Sequence, residues 1–109
     1  MAYDEALVER IRAQVVDELD VTDKRMFGGL AFLVGGRMAV AANRKGALMA
    51  RVDPEDIDAL LAQEGVSPMV MRGKELAGWV VVDGARLDDD GLAQWLDRAL
   101  EYARTLPPK

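Results

Sequence analysis

The acidic side chains are the residues of this sequence that could most directly bind a metal ion or transfer a proton. Residues 88–90 are three consecutive aspartates, and Asp53, Glu55 and Asp56 form a second acidic group. Carboxylates are common magnesium ligands and common general acids and bases. Each group also precedes a stretch with helical periodicity, where free amides and the helix dipole stabilise negative charge. We therefore interpret both groups as helix N-termini and predict no metal site.

The sequence contains neither histidine nor cysteine. Imidazole bases, thiolate nucleophiles and the usual zinc ligand sets are therefore excluded. Ser67 is the single serine, it lies beside Pro68, and no imidazole exists to activate it. Neither of the common glycine-rich phosphate-binding motifs occurs. The sequence predicts no catalytic residue and no cofactor, and we expect a protein that is not an enzyme.

Five methionines lie in stretches with strand character: Met26, Met38, Met49, Met69 and Met71. Methionine fills irregular gaps in cores, and it is also frequent on surfaces that adapt to a partner. Core filling is the simpler explanation. The predicted strands, however, are apolar at nearly every position, so a second apolar sheet face needs a cover. Met38, Met49, Met69 and Met71 are therefore a candidate interaction surface.

Apolar periodicity and turn residues predict the elements that position these side chains. Residues 3–19 and 88–106 carry apolar residues at spacings of three and four, with Trp95 central on the core-facing stripe of the second stretch. A short helix begins at Asp53 and Pro54. Strands joined by glycine-containing turns are predicted at residues 30–34, 37–43, 47–52, 68–72 and 76–82. The order α-β-β-β-α-β-β-α predicts an α+β, two-layer fold with a five-stranded antiparallel sheet and helices on one face.

Length and composition limit the class of protein. The chain has 109 residues, of which 50% are hydrophobic, so residues 1–109 are expected to form a single domain around one core. No targeting segment is recognisable at the start, and the longest apolar runs are strand length, far short of a membrane span. We expect a cytoplasmic protein that is not inserted in a membrane.

Residues 24–52 contain six basic residues and no acidic one, although the whole chain has a net charge of −5. In the predicted meander Lys24 and Arg25 lie near one end, and Arg37 and Arg51 near the other. The acidic residues that flank these strands, Asp17, Glu18, Asp20, Asp23, Asp53, Glu55 and Asp56, are expected to meet these basic groups. A continuous basic stripe with stacking aromatics is missing, so we predict no tight nucleic-acid binding.

The run KRMFGGLAFLVGGRMAV, the Asp-Pro-Glu-Asp start of the second helix, and GWVVV before the last helix together resemble the TfoX/Sxy N-terminal domain family. The stretch Met26, Phe27, Gly28 and Gly29 is the most specific part of the match, with the glycines marking a bulge or a close backbone approach. The resemblance implies an antiparallel sheet with helices on one side, similar to type III secretion chaperone-like folds. It also implies a role in regulating bacterial natural competence, and it carries no catalytic residues. The namesake regulators have a second, helical domain, whereas a stand-alone domain is expected here.

Two hypotheses about function follow. The first is a non-enzymatic regulatory or protein-interaction module that binds a protein partner, a second copy of itself through the uncovered sheet face, or both. The alternative is a small-ligand-binding domain, or an enzyme independent of histidine and cysteine, with a pocket between the sheet and the helices.

Overall fold

The computed structural model describes residues 4–26, 29–43 and 45–107. Six strands form one antiparallel sheet in the order β1-β2-β3-β4-β6-β5, and three α-helices accompany it. The strands are β1 (Val21–Met26), β2 (Gly29–Val34), β3 (Arg37–Ala42), β4 (Leu48–Arg51), β5 (Val66–Met71) and β6 (Lys74–Val82). The helices are α1 (Glu5–Val15), α2 (Ile57–Leu61) and α3 (Asp89–Thr105). The predicted α+β fold with an antiparallel sheet is confirmed.

Aspartates precede the helices, and the sequence predicts this for Asp53 and Asp88. The Asp4 carboxylate accepts a hydrogen bond from the Leu7 amide at 3.0 Å, and the Asp88 carboxylate accepts one from the Gly91 amide at 2.6 Å. Asp53 begins the short 3-10 turn that leads into α2. The bond to Asp88 satisfies an amide that has no partner within the helix, so the capping interpretation of residues 88–90 is confirmed. In the second group, the Asp53 carboxylate accepts from the Glu55 amide of the 3-10 turn, and Asp56 at the start of α2 makes no side-chain cap.

The prediction of five strands is wrong, because β1 forms a sixth. Its sequence, VTDKRM, shows no apolar alternation. A strand at the edge of a sheet is half solvated, and charged residues there discourage pairing with other chains. Helix α1 is also shorter than the predicted 3–19: it ends at Val15, and the Leu19 residue is 99% exposed. Tyr3 lies outside the described residues.

All three helices pack against one face of the sheet, which we call the covered face. Phe32, Val40, Ala50 and Val80 align in register across four strands of this face and are buried. Trp95 of α3 is 9% exposed and packs in the same core, where the sequence places it. Within the described part of the chain, no helix is long and apolar enough to span a membrane.

Gly29 lies where two neighbouring strands approach closely. A Cβ atom at this position would collide with the carbonyl oxygen of Ala42 in β3. The close backbone approach that the sequence predicts at the glycine pair is therefore present at Gly29. Met26 ends β1, whereas Phe27 and Gly28 lie outside the described residues.

Candidate functional site

The face of the sheet that points away from the helices, which we call the open face, is also apolar. One register row crosses all six strands on this face: Lys24, Ala31, Ala41, Met49, Val81 and Ser67. Residues directly opposite each other in neighbouring strands share a face, so the row fixes which side chains point outward.

A groove lies along this row, and the small residue Ala41 lines it near the middle of the sheet. Larger side chains surround Ala41 and enclose a cavity of about 390 Å³. The larger apolar side chains that line the groove are Leu33, Met38, Met49, Met69, Leu76 and Trp79. Small side chains beside large ones on a twisted sheet therefore form a concave apolar surface without any covering helix.

Three of the four methionines of the predicted interaction surface meet in this groove. Met38, Met49 and Met69 line it, and Met49 and Met69 are only 6% and 5% exposed. Met71 ends β5, and its side chain lies outside the described part of the structure. The structure brings these methionines together, and their role in binding stays a prediction.

Two irregularities in the ladders shape the groove. The β2–β3 register shifts between Phe32 and Leu33, so Ala39 and Val40 both face the core while Met38 faces the groove. The β5–β6 register shifts between Pro68 and Val70, and Gly78 there has a φ of +83°. A register shift with a glycine at positive φ is typical of a bulge. The sequence analysis missed Leu76 and Trp79 as groove residues.

Positive charge borders the groove. The Arg51 guanidinium lies 5.9 Å from the centroid of the Trp79 ring, within range of a cation–π interaction. Lys24 lines the groove from β1. Lys74 lies two residues before the groove residue Leu76 in β6, and strand alternation therefore places it on the same face.

Negative charge is confined to the other face of the sheet. In the six strands that the structure describes, the acidic residues are Asp23 and Glu75. Asp23 accepts hydrogen bonds from Arg12 of α1, so it lies on the covered face. Glu75 is adjacent to Leu76 and alternates to the face opposite the groove. The charged residues that the described strands place on the open face are therefore all cations.

The comparisons with known proteins agree with this architecture. A sequence model of the TfoX N-terminal domain matches residues 14–103. The chain belongs to the TfoX N-terminal domain family. No curated protein sequence matches it significantly. Its fold is similar to the crystal structure of a Pseudomonas syringae protein determined by the Northeast Structural Genomics Consortium, with a TM-score of 0.67 and 12% identity over 88% of this chain and 97% of that chain. At that identity the likeness shows the fold alone.

The predicted neutralisation of the basic segment in this TfoX N-terminal domain is wrong for the groove cations. Glu18 and Asp20 pair with Arg104 of α3 rather than with Lys24 or Arg25. The hydrogen bonds that Arg104 donates lower the pKa of the Asp20 carboxyl, and the charge of Arg37 acts in the same direction. Among the described residues, no ion pair joins Lys24 or Arg51 to a carboxylate, and Arg44 lies outside them. The predicted partners of the basic strand residues are therefore paired with a helix instead, because the loop that carries Glu18 and Asp20 packs against α3.

The alternative hypothesis places a pocket between the sheet and the helices. The groove lies on the opposite side of the sheet. In this TfoX N-terminal domain that interface is filled by the main core, and no polar or charged residue of the described chain is buried. A more open depression of about 550 Å³ follows α3 and is lined by charged and polar residues, including Asp97, Arg98 and Glu101. The groove therefore remains the concave site with an apolar lining.

Proposed function

We propose that this TfoX N-terminal domain is a non-enzymatic interaction module that acts in regulation and binds a protein partner on its open face. The observation that carries the proposal is the apolar groove, where Met38, Leu76 and Trp79 remain partly exposed on a sheet face that no described helix covers. Exposed apolar surfaces of this kind are typical of binding sites.

The groove has the composition that adaptable protein-binding surfaces use. Met38, Met49 and Met69 supply flexible, polarisable contacts, and the aromatic ring of Trp79 supplies a rigid one. Membership of the TfoX N-terminal domain family supports a regulatory role, since the resemblance to competence regulators implies one. We expect this role in the cytoplasm.

A small amphiphilic ligand is the second candidate, and the volume of the groove favours it. About 390 Å³ lies within the range of ~300–1,000 Å³ that is usual for small-molecule sites. Arg51 beside the Trp79 ring could fix a negatively charged group at the end of an apolar ligand. This candidate uses the same groove and differs from the first in the class of ligand.

Affinity purification with matched variants tests the interaction module. Met38→Glu adds a charge to the groove, and Val70→Glu adds the same charge to β5 outside it, where Val70 is 58% exposed. We expect a bacterial protein, identified by mass spectrometry, to bind wild type and Val70→Glu and to be lost with Met38→Glu. Equal recovery with all three proteins would reject the open face as the docking surface. Thermal melts of the variants show whether each is folded.

A thermal-shift screen with metabolites separates the two candidates. A ligand at about one hundred times its dissociation constant stabilises a folded protein by roughly 2.7 kcal/mol. If the small-ligand candidate is correct, a fatty acid or another anionic amphiphile raises the melting temperature of wild type and of Val70→Glu but not of Met38→Glu. If the interaction module is correct, such compounds leave all three melting temperatures unchanged.

A further inference from the structure

We infer that the partner segment which docks in the groove is an acidic amphipathic helix, an inference that rests on the proposed function. Three properties of the open face lead to it: the hydrogen bonding of the strands, the character of the sheet edges, and the sign of the charges around the groove.

Backbone hydrogen bonding favours a helix over an extended peptide. The strands beneath the groove, β2, β3 and β4, pair with a neighbour on both sides, so their amides and carbonyls are occupied within the sheet. A chain that lies across such a face must satisfy its own backbone groups, and a helix does this internally. An amphipathic helix laid in an apolar groove is an established mode of peptide recognition.

The two sheet edges are unsuited to the alternative, in which a peptide adds a strand. Edge strand β1 carries Asp23, Lys24 and Arg25 in succession. Edge strand β5 contains Pro68, which has no amide proton to donate. Charged residues and proline are the devices by which edges avoid pairing. The open face, rather than an edge, is therefore the surface available for a partner.

The charges of the open face select an acidic partner. Lys24 and Arg51 line the groove and Lys74 lies on the same face, whereas the strand acids Asp23 and Glu75 lie on the other one. Complementary charge steers association and sets the choice of partner. Carboxylates beside the apolar stripe of the helix would meet these cations at the rim of the groove.

The same charges disfavour a second copy of this chain as the occupant. In a symmetric dimer the same surface of both copies meets itself. Pairing two open faces would place Lys24, Arg51 and Lys74 opposite an equally cationic face. Like charges brought together across an interface are destabilising. A heterologous acidic helix avoids this repulsion.

Designed peptides provide the probe. Six strands ~4.8 Å apart make a face roughly 24 Å wide, which a helix of about 16 residues crosses. The acidic peptide has 16 residues with capped ends, leucines at helical spacings of three and four, and glutamates elsewhere. The basic peptide keeps the leucines and replaces each glutamate by lysine. Fluorescence anisotropy measures affinity, and circular dichroism measures the helicity gained on binding.

We expect the acidic peptide to bind and to gain helicity, with an affinity at least about tenfold above that of the basic peptide. Lys24→Glu should weaken acidic-peptide binding by about fivefold or more. Lys45→Glu makes the same exposed charge change in the β3–β4 turn and should leave affinity unchanged. Added salt should reduce the preference for the acidic peptide, because the rim charges are solvent exposed.

Four results would overturn the inference: no binding of the acidic peptide, equal binding of both peptides, equal effects of Lys24→Glu and Lys45→Glu, or binding without gain of helicity. Dimerisation that is abolished by Met38→Glu would also overturn it in favour of a second copy as the occupant. The results that would reject the proposed function differ from those that would reject the acidic helix. A natural partner lost with Met38→Glu while the acidic peptide fails to bind would leave the interaction module standing and reject the acidic helix.

Discussion

The two faces of the sheet are built from the same strands and are both apolar, yet they differ in what lies over them. On the covered face, Phe32 and Val40 are buried beneath helices in a core without polar residues among the described chain. On the open face, Met38 and Trp79 remain partly exposed, and cations border them. Apolar character is therefore common to both faces, and the covering helices on one face and the cationic border on the other distinguish them.

Replacing each of the two tryptophans should give the largest difference in the free energy of unfolding between the two faces. Trp95 is buried under α3, so Trp95→Ala should lower the free energy of unfolding by about 3–5 kcal/mol. Trp79 is partly exposed in the groove, so Trp79→Ala should lower it by at most ~2 kcal/mol, because less area leaves water. Urea denaturation of both variants checks the contrast. Equal losses would mean that the open face contributes to stability as the covered face does.

Gly29 has no side chain, which permits the close approach of β2 to β3. Gly29→Ala would force a methyl group into the Ala42 carbonyl oxygen, and we expect a loss of about 1–3 kcal/mol. Gly73→Ala is a control in open space, where the positive φ alone costs about 1 kcal/mol. The same denaturation experiment compares them. A Gly29→Ala variant as stable as wild type would contradict the close approach of the strands.

The sequence identified the covered face more completely than the open one. Apolar residues at spacings of three and four predicted α3 and placed Trp95 in the core, because a helix concentrates its apolar residues on one stripe. Strand β1 escaped prediction, because VTDKRM is an edge strand whose polar residues follow no apolar pattern.

The candidate site was only partly predictable for a related reason. The position of methionines in the predicted strands indicated Met38, Met49 and Met69, but Trp79 and Arg51 also line the groove. The register shift beside Gly78 helps determine where Trp79 points, and no local pattern contains that information. The charge matching failed because acidic loops paired with helix residues such as Arg104, which are distant in sequence.

A smaller change in stability is expected when the ion pair between Asp20 and Arg104 is removed. This pair joins the loop between α1 and β1 to α3. The folded-state pKa of Asp20 is lowered, chiefly by hydrogen bonds from Arg104. The pair therefore stabilises the fold above the ordinary aspartate pKa, and this contribution disappears as the pH falls through the lower folded value. Asp20→Asn should be less stable than wild type at pH 7, and the difference should vanish in strong acid.

Thermal melts of wild type and Asp20→Asn across the acid range measure this dependence. Arg104→Gln removes this pair together with the pair to Glu18, so the double variant should be little less stable than Arg104→Gln alone at pH 7. A stability difference between wild type and Asp20→Asn that stays constant down to pH 2 would assign the effect to something other than this carboxylate.

We expect almost no binding of duplex DNA to the cations of the open face. Lys24, Arg51 and Lys74 surround an apolar groove instead of forming a continuous basic stripe. We expect a dissociation constant of ~10⁻⁴ M or weaker at physiological salt. Anisotropy with a labelled duplex across a salt series checks this. A constant below about 10⁻⁶ M with steep salt dependence would contradict the assignment of these cations to a protein partner.

Methyl NMR tests the division between the faces most directly, because methionine and isoleucine report on different sides. Met38, Met49 and Met69 line the groove, whereas Ile11 and Ile57, the two isoleucines of the chain, belong to the covered core. In a titration with the acidic helical peptide, we predict that the methyl signals of these methionines shift and those of both isoleucines stay in place. Shifts of the isoleucine signals with unmoved methionine signals would contradict the account.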